Sequence, residues 1–179
     1  GVLDVSVNLS RLQIREPGLA DCVAQILEST GVPPHRLKLE ITESMLMQDS
    51  EQTTTTLRRV RDLGVGMSLD DFGTGYSSLS CLHRIPIETI KIDRSFVSNI
   101  GADRESTEIV NTIVTLAERL GKRVVAEGIE TRSQLEHLID LGCDLGQGFL
   151  FAAPLPPKQA ITYQRPAEDA VIEEAPALV

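Results

Sequence analysis

The side chains in this sequence that could do acid, base or metal chemistry stand directly after short apolar runs. In order they are Asn8, Glu40, the pair Asp70-Asp71, Lys91 with Asp93, Glu127 and Gln147. Any one of them reads equally well as a solvated strand end or a cap. Brought together they need another explanation, because Glu40, Asp70, Asp71 and Glu127 would repel one another without cations among them. Hard divalent ions relieve that repulsion, and an oxygen-only donor set favours Mg²⁺ or Mn²⁺ over Zn²⁺. No His or Cys follows any of these apolar runs.

Asp70-Asp71 is the most informative pair. Adjacent residues on a regular strand point to opposite faces, so both can reach one site only where the strand is ending. The stretch Phe72-Gly73-Thr74-Gly75-Tyr76-Ser77-Ser78 supplies such a break, its glycines permitting close backbone approach or a mobile loop. Two carboxylates placed this way could bridge two metal ions roughly 3.5–4 Å apart, the arrangement used for phosphodiester hydrolysis. An Asp-rich turn is the plainer reading. Lys91, in Ile90-Lys91-Ile92-Asp93, sits between apolar neighbours and is expected to point inward, where it needs carboxylate partners. It could orient a water nucleophile or neutralise developing phosphate charge; it could also form a structural ion pair with Asp93.

The elements that must position these residues follow one pattern. Val5 to Asn8 alternates as a strand, and a helix is expected over Pro17 to Glu28, ended by Gly31. Leu37 to Ile41 is the next strand, followed by a helix capped at Asp49 or Ser50 and stopped at Gly64. Val65 to Leu69 reads as a third strand and Ser77 to His83 as a short helix. Thr89 to Ile92 is a fourth strand, after which Asp103 opens a long amphipathic helix ended by Gly121. Val124 to Ala126 is a fifth strand. Thr131 with Gln134 forms a capping box for a helix stopped by Gly142, and a last strand is expected near Leu145 to Leu150.

Strands separated by helices pair in parallel, because a parallel neighbour requires a crossover. About six such units without a GxGxxG fingerprint favour an α/β fold of the (β/α) TIM-barrel type over a Rossmann sheet. In a parallel barrel the C-terminal strand ends share one rim, where such enzymes build their active sites. The domain is expected over residues 1–164. Residues 165–179, acidic and rich in Ala and Pro, read as a flexible tail.

Composition narrows the partners. The chain has 179 residues and a net charge of −9, with Lys and Arg scattered singly, which argues against long nucleic acids as ligands. It has no Trp and two Tyr, too few for a base-stacking platform along a single strand. Cys22, Cys81 and Cys143 show no CxxC spacing and read as reduced thiols of a cytoplasmic protein. No apolar run approaches the ~20 residues that span a bilayer, so direct membrane insertion is not expected. The chain opens on Gly1 rather than Met, so excision from something longer is expected.

Six segments, in order, resemble the successive motifs of the EAL family of cyclic di-GMP phosphodiesterases. They are Val7-Asn8-Leu9-Ser10, Leu39-Glu40-Ile41-Thr42-Glu43, Asp70-Asp71-Phe72-Gly73-Thr74-Gly75, Ile90-Lys91-Ile92-Asp93-Arg94-Ser95-Phe96, Ala126-Glu127-Gly128-Ile129-Glu130 and Gln147-Gly148-Phe149. The resemblance implies metal-dependent opening of cyclic di-GMP to linear pGpG, in bacterial second-messenger signalling. It also implies that Asn8, Glu40 and Asp70 bind one Mg²⁺ or Mn²⁺ ion, and Asp70, Asp71 and Glu127 a second. Lys91 would hold the attacking water, with Glu130, Gln147 and Asp93 in support and Ser10 and Arg11 beside the ligand. The loop Phe72, Gly73, Thr74, Gly75, Tyr76, Ser77 would couple metal binding to a homodimer interface. Sensor or GGDEF domains, in a larger and even membrane-attached protein, are the family's usual neighbours.

Two departures from the family pattern stand out. No Glu-Ala-Leu tripeptide occurs, and a full barrel of this class needs roughly 250 residues, so the first strands are expected to be missing. That loss removes a metal-binding glutamate and exposes sheet edges, and the chain alone is then expected to be inactive. Ala153 stands where a basic residue is common in the family. The alternative to an enzyme is a receptor or regulatory EAL module that holds cyclic di-GMP without cutting it.

Overall fold

A computed structural model describes residues 3–46, 51–75, 82, 84–143 and 145–163. The expected caps Asp49 and Ser50, the helix at Ser77 to His83 (save Leu82) and the tail 165–179 lie outside the described residues. The chain divides into an N-terminal unit over Asp4–Ile90 and a second unit that begins at Lys91.

The N-terminal unit carries strand β1 (Val5–Asn8), helices α1 (Arg11–Arg15) and α2 (Leu19–Thr30), strand β2 (Leu37–Thr42), helices α3 (Glu43–Leu46) and α4 (Glu51–Asp62), and strand β3 (Gly66–Phe72). β1 pairs in parallel with β2, placing Asn8 opposite Glu40, and β2 pairs in parallel with β3, placing Glu40 opposite Ser68 and Thr42 opposite Asp70. Leu39, Ile41, Met67 and Leu69 from the strands and Ile14, Leu27, Leu57 and Val60 from the helices are buried in its core. β1 differs from its neighbours. All four of its residues are exposed, and among the described residues no strand pairs with its other side.

Strand β4 (Thr89–Ile92) straddles the boundary between units. After it come α5 (Arg94–Val97), α6 (Arg104–Arg119), β5 (Arg123–Glu127), α7 (Arg132–Asp140), β6 (Leu145–Gln147) and α8 (Pro157–Ala160). β5 and β6 are parallel, with Glu127 opposite Gln147. Val124, Val125 and Ala126 are buried in succession, as expected of a parallel strand covered on both faces. Ile113, Val114 and Ala117 of α6 and Leu135 and Leu138 of α7 supply the packing of this unit.

The helix starts follow their expected chemistry. Asp103 caps α6 by accepting from Ser106 N–H at 2.8 Å, and Thr131 and Gln134 form the reciprocal capping box of α7. Four expectations need correction. The helix expected over Pro17 to Glu28 begins at Leu19 and runs to Thr30. The third strand does not end at Leu69 but continues through Asp70, Asp71 and Phe72. The last strand is shorter than expected, ending at Gln147 because Gly148 to Phe151 fold into a turn. Helices α1, α3 and α5 were not anticipated; at four or five residues each they are too short to show a helical period.

Candidate active site

In the N-terminal unit, strand register fixes which polar groups share a face. Asn8 and Glu40 are direct neighbours across β1 and β2, Glu40 faces Ser68, and Asp70 lies two residues beyond Ser68. Side chains alternate along a strand, so Asn8, Glu40 and Asp70 project from one face of three adjacent strands. Glu40 is buried and Asp70 is partly covered. These are oxygen donors only, a set suited to a hard divalent cation.

Asp71 solves the problem of two adjacent carboxylates in an unexpected way. The strand does not stop before it. Instead Asp71 takes φ = 55°, and no other non-glycine residue described here has a positive φ. A left-handed residue inside a strand re-aims its side chain and costs roughly 1–2 kcal/mol, Asp and Asn tolerating it best. Its carbonyl then accepts Thr74 Oγ1–H at 2.9 Å, closing the turn that follows.

The sequence reading did not single out Glu43, the first residue of α3. It is buried, and its Oε2 accepts the Gly73 N–H at 3.0 Å, so it holds the start of the loop after β3. Oε1 of Glu43 is buried with no hydrogen-bond partner among the described residues. A buried carboxylate oxygen left in that state is costly, and a glutamate one residue past a strand end was the available signal. Phe72 is buried and Gly73 partly so, while Thr74 and Gly75 are exposed; Tyr76 and Ser77 of the same loop lie outside the described residues.

The second unit gathers three of the expected residues. Lys91 Nζ lies 2.6 Å from Glu127 Oε1, and Gln147 Nε2 donates to the same oxygen at 2.7 Å. The lysine side chain is only 6% exposed and the glutamate 16%, so the pair is largely removed from water and its geometry is held firmly. Asp93 does something different: its carboxylate accepts Ser95 N–H at 2.9 Å and caps α5. Glu130 accepts from Arg94 at 2.6 Å on an exposed face. The stem of Arg94 lies over Gly128, where a Cβ would stand 2.3 Å from Arg94 Cγ, so only glycine fits. Ser10 is occupied in a capping box with Gln13 at the start of α1, and Arg11 is exposed in that helix.

With this geometry in place, comparison with known proteins identifies the family. The EAL domain model matches residues 1–154. The chain belongs to the EAL family. Cyclic di-GMP phosphodiesterase NbdA of Pseudomonas aeruginosa is 46% identical over 154 residues, covering 86% of this chain and 20% of NbdA. The PaMucR phosphodiesterase in its c-di-GMP complex is 44% identical with a TM-score of 0.84, over 88% of this chain and 64% of that one. Klebsiella pneumoniae BlrP1 in its manganese/cyclic di-GMP complex is 34% identical with a TM-score of 0.78, over 84% of this chain and 39% of that one. The chain spans about a fifth of the length of the curated relatives it matches. Its fold is accordingly the (β/α) barrel type of EAL domains, with six strands among the described residues against eight in a closed barrel.

Proposed function

We propose that this EAL segment takes part in metal-dependent hydrolysis of cyclic di-GMP to linear pGpG. The observation that carries the reading is the Lys91–Glu127–Gln147 cluster, a buried lysine and two part-buried partners, one from each of β4, β5 and β6, meeting at a single carboxylate oxygen. A structural core has no need of a lysine there, whereas a phosphodiesterase needs a cation beside its nucleophile and its developing phosphate charge.

Residue roles follow the family positions. Asn8, Glu40 and Asp70 are the donors for one Mg²⁺ or Mn²⁺ ion, and Asp70, Asp71 and Glu127 for a second. When bound, the ions supply Lewis-acid polarisation of the phosphate and a more acidic water. Lys91 orients that water, and Gln147 fixes the Glu127 carboxylate. Glu43 restrains the start of the loop after β3 by accepting the Gly73 N–H. Asp93 and Ser10 act at one remove, each holding the first turn of a helix that follows a strand. Glu130 and Arg11 border the ligand. A homodimer, sensor or GGDEF domains in the same polypeptide, and a cytoplasmic location complete the proposal; among the described residues no helix is long and apolar enough to cross a membrane.

The test is incubation with cyclic di-GMP and Mg²⁺ or Mn²⁺, for this chain and for a form lengthened at its N terminus to the extent of the PaMucR structure. Linear product supports the enzyme. Intact ligand held by the protein supports a receptor instead, and absence of both binding and cleavage in the two forms sinks the reading.

A further inference from the structure

The family match ends at residue 154, and Tyr163 lies beyond it. Its hydroxyl donates to the Phe151 carbonyl at 2.7 Å in a partly buried setting. Phe151 belongs to the turn after β6, in which the N–H groups of Phe151 and Ala152 both donate to the Gly148 carbonyl, at 3.1 and 3.3 Å. That turn is tied in turn to the segment after β5. Ile129 N–H donates to Gln147 O at 3.1 Å, and Leu150 N–H donates to Ile129 O at 2.9 Å. Gly148 packs so closely that a Cβ there would stand 2.1 Å from the Ile129 carbonyl oxygen. The turn therefore has little freedom at its Gly148 end, and its other end is held by Tyr163.

Both ends bear on the cluster described above. Gln147 heads the turn and holds Glu127. Ala152, Ala153 and Pro154 leave it and line a cleft of about 390 Å³ together with Arg94, Gln147 and Phe149. Phe149 is 62% exposed, in a chain with only four Phe.

We propose that Tyr163 is a latch for this cleft, a positioning residue whose hydroxyl fixes the Ala152–Pro154 wall and steadies the turn that carries Gln147. What the cleft receives rests on the phosphodiesterase reading; the latch itself does not. The sequence from residue 163 onward then becomes an input to the site, because a partner that draws Tyr163 off Phe151 loosens the wall.

Tyr163→Phe removes the hydroxyl and keeps the ring. Amide exchange of the 179-residue chain is expected to speed up about tenfold at Leu150, Phe151 and Ala152, the loss of roughly one hydrogen bond's stabilisation. Amides of α6 serve as the internal reference. Unchanged exchange at those three positions overturns the latch, whatever the protein's activity. In a form that hydrolyses cyclic di-GMP, the same variant is expected to raise KM about fivefold while leaving kcat within about twofold. A lowered Tm with unchanged KM would reduce Tyr163 to a structural residue and overturn the positioning role. Failure of the phosphodiesterase reading looks different: the unmodified protein neither binds nor cleaves cyclic di-GMP, while the exchange contrast persists.

Discussion

Glu127 takes two donors on one oxygen, and that arrangement decides what its partners can be exchanged for. Lys91→Ala leaves a largely buried carboxylate without its cation. The variant is expected to lose about 3–5 kcal/mol of stability in urea unfolding, together with cyclic di-GMP cleavage. Asp71 behaves oppositely. Asp71→Asn keeps a residue that tolerates the left-handed conformation, so its unfolding free energy should stay within about 0.5 kcal/mol of the original while product formation stops. Full turnover in either variant would refute the assigned roles. The types of these residues were legible in the sequence, since each follows an apolar run. Their partners were not. Asp93 lies two residues from Lys91 and was an obvious candidate for its counter-ion, yet it caps α5, and the lysine's ion pair comes from Glu127 on another strand. Sequence proximity says little about which strand end a long side chain will reach.

At the level of elements, caps were the readable part. Thr131→Ala removes the hydroxyl that accepts Gln134 N–H, while the Thr131 backbone N–H can still donate to the Gln134 side chain. The loss of that half of the capping box of α7 is expected to cost about 1 kcal/mol, seen as a lower Tm. Asp103 gives a pH signature. Hydrogen bonds from the Ser106 side chain and backbone hold its carboxyl below the usual value of 3.8. A depressed folded-state pKa contributes stability that is present above the unfolded value and is lost as pH falls through the folded one. The Tm gap between the protein and Asp103→Ala is therefore expected to be full at neutral pH and to close below about pH 4. What the sequence concealed was local backbone geometry. The run Leu69-Asp70-Asp71-Phe72 changes from apolar to acidic and so looks like a strand end, but a single left-handed residue lets the strand continue with its side chain re-aimed. Helices α1, α3 and α5 are single turns set by one cap or one strand end, and no periodicity can announce them. For α1 the Ser10-x-x-Gln13 box was nevertheless there to be read.

At the level of the whole chain, β1 is the exposed feature. Val5 and Val7 are 51% and 44% exposed, and among the described residues the strand has a neighbour on one side only. An open apolar edge is a template for another chain, so concentration-dependent association by light scattering is expected. Val7→Lys should reduce it; equal scattering from both proteins would show that the edge is not responsible. The parallel order and barrel class were legible from strand and helix alternation, whereas the exposure of β1 followed only from counting units against a closed barrel. This edge also matters whenever the 179 residues are expressed by themselves. A strand paired on one side only among the described residues can open locally while the core stays folded, which offers an apolar segment to chaperones and proteases. The yield of this polypeptide on expression should therefore respond to quality-control capacity, and not only to how firmly the rest of the molecule is folded.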